Sequence, residues 1–376
     1  MSLPPFDLEI QPFSECLTII LTTSPTPSSP STELVDTILD SFREHCPVLL
    51  QCRIIVVFDT YDKVGPVNRL KKGHVTEEGA TNFPVYKASV KEVILRDFCG
   101  IRDPRDVPAM MLEMGKAEYG SWGTAANPNA TPYEIQSTPD RRVVFIEPVE
   151  RLGFGLGVRS ALRVVQTPYV WVQQHDWKLD AHIPVEPIVD VMKASRTNSE
   201  VPVKYVCLPS IRMLGYAESE HVLRYPALRQ LTKTFKRDFI VASGACRDDD
   251  DDDDDDDNDS DGKHRTIPLT PLFFWHDKTH IASTAHYLER VFPSRLAMPR
   301  GAFIEDHIGQ RARNQMKLGE WTRWACWLYY PDNGKEQCLK HLHGRTWRGT
   351  EAERKKIHEF RLQNGTLPEM SDQDSG

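Results

Sequence analysis

Apolar and amphipathic stretches alternate over the first sixty residues of the chain. Residues 16–21 (CLTIIL) and 52–62 (CRIIVVFDTYD) are continuous apolar runs, and the second ends in acidic residues. Residues 32–45, between them, have the spacing of a helix with one apolar face. That face is formed by Leu34, Val35, Ile38, Leu39 and Phe42. Because strands that are buried on both faces are continuous apolar runs, we predict a parallel βαβ unit with a right-handed connection.

A second unit of the same kind follows at residues 142–177. Residues 142–147 (RVVFIE) predict a strand, and residues 153–166 (GFGLGVRSALRVVQ) predict a glycine-rich turn that opens a helix. Residues 169–177 (YVWVQQHDW) begin as an apolar strand and end in two amides, an imidazole, a carboxylate and an indole. The two units predict an α/β fold with an open, mostly parallel, twisted sheet flanked by helices.

The segment from residue 63 to about residue 140 separates the two units. Residues 85–100 predict an amphipathic helix, whereas the rest of the segment is rich in Gly, Pro and Asn. We interpret the segment as an insertion after the second strand that carries lid or acceptor contacts.

One acidic run dominates the charge of the chain. The 376 residues have a formal net charge of -8, but residues 248–261 contain twelve Asp and neither Lys nor Arg. Adjacent carboxylates repel one another and bury nothing, so we predict a disordered loop over about residues 247–264. The remaining residues carry +4, which suits a pocket for a small anion and is too weak to predict nucleic-acid binding.

We predict a single domain over residues 14–350 and a polar tail over residues 351–376. Eight cysteines without a Cys-x-x-Cys pair indicate free thiols rather than a structural zinc site. The N-terminus has neither a basic segment nor a long apolar stretch, and no run approaches the roughly 18 apolar residues of a membrane helix. These features predict a soluble, cytoplasmic protein without a membrane span.

The glycine-rich turn admits two kinds of chemistry. Gly153, Gly155 and Gly157 lie between a strand and a helix, and Asp176 follows about 20 residues later, as in the dinucleotide-binding fingerprint of nicotinamide enzymes. However, Val158 stands where that fingerprint has a small residue. A nicotinamide-dependent oxidoreductase of Rossmann type is therefore one alternative, and a plain tight turn is another.

The order of motifs along the chain favours a different family. The stretches LTIILTTSP, RIIVVFD, GFGLGVRSALRVVQTPYVWVQQHDW and GAFIEDHIGQRARNQ, in succession, resemble the family 2-like glycosyltransferases of the GT-A fold. The similarity covers residues 16–62 and 142–320 in pieces. Such enzymes cradle a nucleotide on the first strand, place an acid after the second, end a later strand in Asp-x-Asp and carry a Glu-Asp pair farther on. The resemblance implies transfer of a sugar from a nucleotide-diphosphate-sugar donor to an acceptor hydroxyl, with inversion of configuration.

The resemblance also implies which residues bind the donor. They are Thr22, Asp59, Arg159, Gln174, Asp176 and, in the late loop KHLHGRTW (340–347), Arg345. A departing diphosphate carries about two to three negative charges, which a divalent cation or fixed cations must stabilise. Mg²⁺ or Mn²⁺ is the implied cofactor, with Asp176 and His343 as its ligands. Gln174 departs from the pattern, because a neutral amide replaces the first acid and binds such metals more weakly.

The Glu-Asp pair and an aromatic cluster are candidates for the acceptor side. Asp306 is by resemblance the general base that takes the acceptor proton, a role that contributes about 10² to 10⁴ in rate, with Glu305 beside it. Trp275 and His276 are candidates for contact with an acceptor glycan or small molecule. Plainer interpretations are a helix N-cap at 305–306, core packing of Trp275 and a solvated strand end at 174–176. A non-catalytic, glycan-binding relative is a further alternative.

Overall fold

The computed structural model describes residues 12–66, 72–120, 129–197, 200–241 and 265–364. The strands are β1 (Leu17–Thr23), β2 (Arg53–Phe58), β3 (Lys63–Val64), β4 (His74–Val75), β5 (Met111–Glu118), β6 (Ala130–Ser137), β7 (Val143–Pro148), β8 (Tyr169–Gln174), β9 (Trp177–Leu179), β10 (Tyr205–Cys207), β11 (Arg237–Val241), β12 (Arg265–Pro271), β13 (His280–Ser283), β14 (Cys326–Tyr329) and β15 (Leu339–His341). The helices are α1 (Glu33–His45), α2 (Glu77–Cys99), α3 (Phe154–Leu162), α4 (Val185–Ala194), α5 (Glu220–Leu223), α6 (Pro226–Phe235), α7 (Thr284–His286), α8 (Gln310–Lys317), α9 (Trp321–Trp324) and α10 (Thr350–Gln363).

The main sheet has eleven strands in the order β11-β12-β14-β10-β13-β8-β1-β2-β7-β6-β5. Its central strands, β8-β1-β2-β7, are parallel throughout. Three strands, β6, β12 and β13, run opposite to the others in this sheet. The prediction of an α/β fold with a large, mostly parallel sheet flanked by helices is confirmed.

Both predicted βαβ units are present, and their connections create a reversal in strand order. α1 begins at Glu33, one residue after the predicted start, and ends at the predicted His45, and every residue of its predicted apolar face is buried. β7 and β8 lie on opposite sides of the β1–β2 pair, and α3 packs across that pair. The chain therefore leaves β1 toward β2 and later returns to β1 from the other side through β8.

The described parts of the segment from 63 to 140 belong to the main body. α2 packs on β2 and β7, and β5 and β6 form a hairpin that extends the sheet beyond β7. α2 begins at Glu77 rather than at residue 85, because the Thr76 hydroxyl accepts the Gly79 N–H at 3.0 Å and caps the helix. Pro84, which disfavours a helix in the sequence, lies inside it. The segment's acceptor contacts stay a prediction.

One continuous hydrophobic core extends from Leu17 to Leu339. α10 has no buried residue, and the Thr350 N–H at its start bonds to Glu33 at 3.0 Å. The limits of the predicted domain stay a prediction, and the acidic run at 247–264 and residues 365–376 lie outside the described residues. No helix within the described ranges is both long and apolar enough to cross a membrane.

Candidate functional site

A cleft opens at the carboxyl ends of β1, β2 and β8. This is the point at which the strand order reverses, and open α/β sheets bind ligands in the crevice at such a point. Four of the residues expected at the donor site line it, namely Thr22, Asp59, Gln174 and Arg345.

Asp59 anchors the loop that leads into α3. Its carboxylate accepts the N–H of Leu152 at 2.7 Å and the N–H of Gly153 at 3.0 Å, and the Arg151 guanidinium lies 3.9 Å away. Burial raises the pKa of Asp59 from its usual 3.8 to about 6, although these neighbours act to lower it. Both carboxylate oxygens already serve the loop, and a contact between Asp59 and a nucleotide stays a prediction.

The raised pKa of Asp59 predicts that acid stabilises the protein at this site. In the folded state Asp59 binds its proton more tightly than in the unfolded chain, so its stabilising contribution is full below about pH 4 and lost as the pH rises through about 6. We expect the free energy of unfolding of the wild type, relative to Asp59→Asn, to fall by on the order of 2 kcal/mol over this range. Urea unfolding of both proteins across the range measures this difference. A difference that stays constant, or grows with pH, contradicts the raised pKa.

Glycines at the start of α3 allow two loops to touch. Gly153, at φ +80°, lies so close to Gly301 that a Cβ would come within 2.6 Å of the Gly301 backbone. The Gly155 N–H donates to the Ala302 carbonyl at 3.1 Å, and the Gly153 N–H is bound to Asp59. A dinucleotide site needs free N–H groups here to hold a pyrophosphate. The internal use of these groups argues against the nicotinamide alternative.

Arg159 lies outside the cleft. It is the sixth residue of α3 rather than part of the first turn, and its Nη1 donates to the Glu118 carbonyl of β5 at 2.8 Å. Burial and the neighbouring Arg163 lower the pKa of the Arg159 guanidinium. Because α3 directs this side chain toward β5 rather than into the cleft, the structure gives the predicted contact with a donor diphosphate no support.

The end of β8 places Gln174 and His175 on the cleft. The Gln174 amide donates to the Asp277 carbonyl at 2.8 Å. His175 is buried, and its Nδ1 shares a hydrogen bond of 2.8 Å with the Thr23 hydroxyl, which in turn bonds to Tyr86 at 2.6 Å. Burial lowers the pKa of His175, so its imidazole is neutral at neutral pH.

Asp176 holds the loop that contributes Arg345 to the cleft. Its Oδ2 accepts the N–H of Gly344 at 3.0 Å and lies 3.1 Å from Nε2 of His341. Burial alone would raise the pKa of Asp176, but the hydrogen bond from His341 and the nearby imidazoles outweigh burial and lower it. A Cβ on Gly344 would lie 3.0 Å from Nε2 of His175, so the turn packs tightly against the end of β8.

Aromatic contacts hold the same loop against β9. The His341 ring stacks on the half-buried Trp177 at 4.4 Å between centroids, and it meets the His343 ring nearly edge to face at 4.3 Å. His343 has a positive φ of 57°, which turns the chain toward Gly344. These contacts bring the two polar clusters of the sequence, 174–176 and 341–345, to one place.

Glu305 and Asp277 tie two loops together beside Gln174. Oε1 of Glu305 accepts the Asp277 N–H at 3.0 Å and lies 2.9 Å from Nδ1 of His276, while the Glu305 N–H lies 3.3 Å from the Asp277 carboxylate. Burial and the charge of Glu305 raise the pKa of Asp277 well above its usual value, which favours its protonated form. Burial would also raise the pKa of Glu305, but the bond to His276 outweighs it and the pKa is lowered.

Asp306 lies at the rim of the cleft. It belongs to the π-helical turn Glu305–Gly309, and its side chain is 64% exposed. Nζ of Lys72 lies 3.9 Å from the Asp306 carboxylate and 3.9 Å from the centre of the Phe303 ring. Because Lys72 and Phe303 both line the cleft, Asp306 is one side-chain contact away from it.

Trp275 belongs to the core. It is fully buried, with the rings of Tyr205 and Tyr287 at 4.3 Å and 4.9 Å between centroids. Because neither face of its indole is exposed, the structure gives the predicted stacking of Trp275 on an acceptor no support. His276 is partly exposed and bonded to Glu305, and its acceptor contact stays a prediction.

Among the cleft residues that the sequence does not single out are Lys72, Arg151 and Phe303. Lys72 and Arg151 lie in irregular segments without a periodic pattern, and Phe303 reads as an ordinary apolar residue before Glu305. The only local signal is a cation placed before a glycine turn, in Lys72-Gly73. Such a signal is too common to single out a site.

Comparison with known proteins adds little to this geometry. No protein-family model and no curated protein matches the chain. Among solved structures the chain is similar to the mannosyltransferase PcManGT from Pyrobaculum calidifontis in complex with GDP-Man and Mn²⁺, at 11% sequence identity and a TM-score of 0.34. The match covers 85% of this chain and 58% of that chain. At this identity and TM-score the likeness carries no argument about function.

The end of β8 does not fit the divalent cation that the resemblance implies. One oxygen of Asp176 is bound to Gly344 and His341, and Gln174 provides only a neutral amide that already donates to Asp277. Within the described ranges, no group of three His, Cys, Asp or Glu side chains is arranged to hold a metal. Mg²⁺ and Mn²⁺ favour several oxygen ligands, with carboxylates among them. Asp176 therefore serves the loop, and the predicted ligation by Asp176 and His343 finds no support.

Proposed function

We propose that this protein transfers a sugar from a nucleotide-diphosphate sugar to an acceptor hydroxyl, on a GT-A-like fold. The observation that carries the proposal is the cleft at the reversal of strand order, where motifs far apart in the sequence meet. Thr22, Asp59 and Gln174 line this cleft, and Lys72 connects it with Asp306 at the rim. This partial convergence of the residues that the resemblance implies supports the proposal.

In this proposal the nucleotide binds against the segment that follows β1, and the diphosphate lies beside Lys72 and Arg345. Both cations line the cleft. A diphosphate leaving group needs such charges, because positive groups fixed where negative charge develops lower the barrier. Asp59 supports the site through the loop at 152–153 rather than through a free carboxylate.

Asp306 is the proposed general base. It accepts the proton of the acceptor hydroxyl as the hydroxyl oxygen forms its bond to the anomeric carbon, on the face opposite the diphosphate. The bond from that carbon to the diphosphate oxygen breaks, and its electron pair leaves with the diphosphate, so the configuration inverts. Glu305, bonded to His276 and Asp277, positions the turn that carries Asp306.

Release of nucleoside diphosphate from a panel of UDP-sugars, GDP-sugars and other sugar nucleotides tests the proposal. We expect release from at least one donor, and faster release when a mixture of glycan and small-molecule acceptors is added. A protein that binds glycans and releases no nucleotide is the non-catalytic alternative. Failure to bind any sugar nucleotide, in EDTA or in Mn²⁺, refutes sugar transfer.

A further inference from the structure

We propose that fixed side-chain cations, with Arg345 foremost, take the place of a divalent metal at the donor diphosphate, and that Asp176 positions Arg345. This inference rests on the proposed function and specifies how the same cleft neutralises its ligand.

Arg345 is the most available cation of the cleft. Arg151 lies 3.1 Å from Asp62, and Lys72 lies 3.9 Å from Asp306, so both charges are partly compensated. Arg345 is exposed, lines the cleft, and has no ion-pair or hydrogen-bond partner among the described residues. A guanidinium presents five N–H donors in a planar fork that matches two phosphate oxygens at once. Its uncommitted donors therefore suit a diphosphate.

Asp176 fixes the backbone from which Arg345 projects. Its carboxylate accepts the Gly344 N–H at 3.0 Å, and its own carbonyl accepts the Leu342 N–H at 2.7 Å. The carboxylate also lies 3.1 Å from Nε2 of His341. Through these contacts Asp176 holds the turn directly before Arg345. In the family that this chain resembles, the acid at this position binds a metal. Here the corresponding residue, Asp176, instead positions the protein cation Arg345.

Gln174 agrees with the same scheme. In a metal-containing site, two acids face the diphosphate because the bound cation offsets their charge. Without that cation, an ionised acid at position 174 would repel the diphosphate across the cleft. The neutral Gln174 removes this repulsion, and its amide is held by the Asp277 carbonyl at 2.8 Å.

Titration calorimetry with UDP, GDP, ADP and inorganic pyrophosphate, in EDTA and in Mn²⁺, tests the role of Arg345. We expect at least one nucleoside diphosphate to bind in EDTA about as tightly as in Mn²⁺. Arg345→Ala should weaken that binding by about 10-fold to 100-fold, because a charge-assisted hydrogen bond to phosphate is lost, and Arg345→Lys should weaken it less. Arg348→Ala, at a nearby exposed cation outside the cleft, is the matched control and should change nothing.

The outcomes separate this inference from sugar transfer itself. Binding that requires Mn²⁺, or full affinity in Arg345→Ala, overturns the role of the fixed cations and leaves sugar transfer standing. Absence of nucleotide and sugar-nucleotide binding under both conditions refutes the proposed function.

A double-mutant cycle tests whether Asp176 acts through Arg345. Asp176→Ala should weaken pyrophosphate or nucleoside diphosphate binding in EDTA by about 10-fold, and the double variant should bind no more weakly than Arg345→Ala alone. Losses that simply add overturn the positioning role. Circular dichroism and the Tm establish that each variant is folded. If Asp176→Ala is unfolded, Asp176→Asn replaces it in the cycle, because the asparagine keeps a side-chain oxygen that can accept the Gly344 N–H.

Discussion

Asp306→Asn should lower the turnover number by about 10²-fold to 10⁴-fold while leaving donor affinity nearly unchanged. An amide has the shape of the carboxylate but cannot accept the acceptor proton at neutral pH. The side chain is 64% exposed, so the substitution disturbs no packing. Asp306 does not line the cleft, so we expect donor binding to depend little on this side chain.

Steady-state kinetics with the donor identified in the panel, together with calorimetry of the nucleoside diphosphate, measures the two quantities separately. Asp238→Asn, at an exposed carboxylate on β11, is the matched control and should turn over normally. Glu305→Gln should lose less than Asp306→Asn, because its amide oxygen still accepts the Asp277 N–H. Normal turnover in Asp306→Asn, or a larger loss in Glu305→Gln, removes Asp306 as the base.

Local patterns predict the centre of this fold well. The apolar runs at β1, β2, β7 and β8 and the apolar face of α1 all follow from periodicity, which depends only on neighbouring residues. Periodicity does not predict the start of α2, because Thr76 caps a helix that contains Pro84 in its interior. The packing of α2 against β2 and β7 outweighs the low helix propensity of Pro84.

Site residues are harder to predict, because their roles depend on partners far along the chain. The sequence places Asp176 just beyond the end of β8, but its partner Gly344 lies 168 residues away and no local pattern indicates their contact. Arg159 is a cation near a helix start in the sequence, and only the rotation of α3 shows that it faces β5. Trp275 has the same local sequence character whether its indole stacks on a sugar or fills the core.

The contact between the loop before α3 and the loop before Glu305 joins the two halves of the site. The Asp59 carboxylate holds the first loop, and the Gly301 N–H donates to the Leu152 carbonyl at 2.7 Å. Four residues beyond Gly301 the chain enters the turn that carries Glu305 and Asp306. Any change that separates these loops therefore disturbs the donor side and the base together.

Gly153→Ala should lower the free energy of unfolding by about 2–6 kcal/mol. At φ +80° and ψ 165° the backbone is in a region that glycine alone adopts readily, which costs another residue about 1–3 kcal/mol. The new methyl would also lie 2.6 Å from the Gly301 backbone, and overpacking of this kind costs about 1–3 kcal/mol more. Urea unfolding with linear extrapolation measures the change.

Gly100→Ala is the comparison variant, because it places alanine at a positive φ without a close steric contact. Gly100 also has a positive φ, of 71°, but no atom lies within 4 Å of the position of its Cβ. We expect it to lose only about 1–2 kcal/mol. Folded Gly153→Ala should in addition turn over more slowly than Gly100→Ala, because the displaced Gly301 loop shifts Asp306 at the rim. Equal losses of stability in the two variants would show that the loops are not in tight contact, and normal turnover in Gly153→Ala would show that this contact does not position the base.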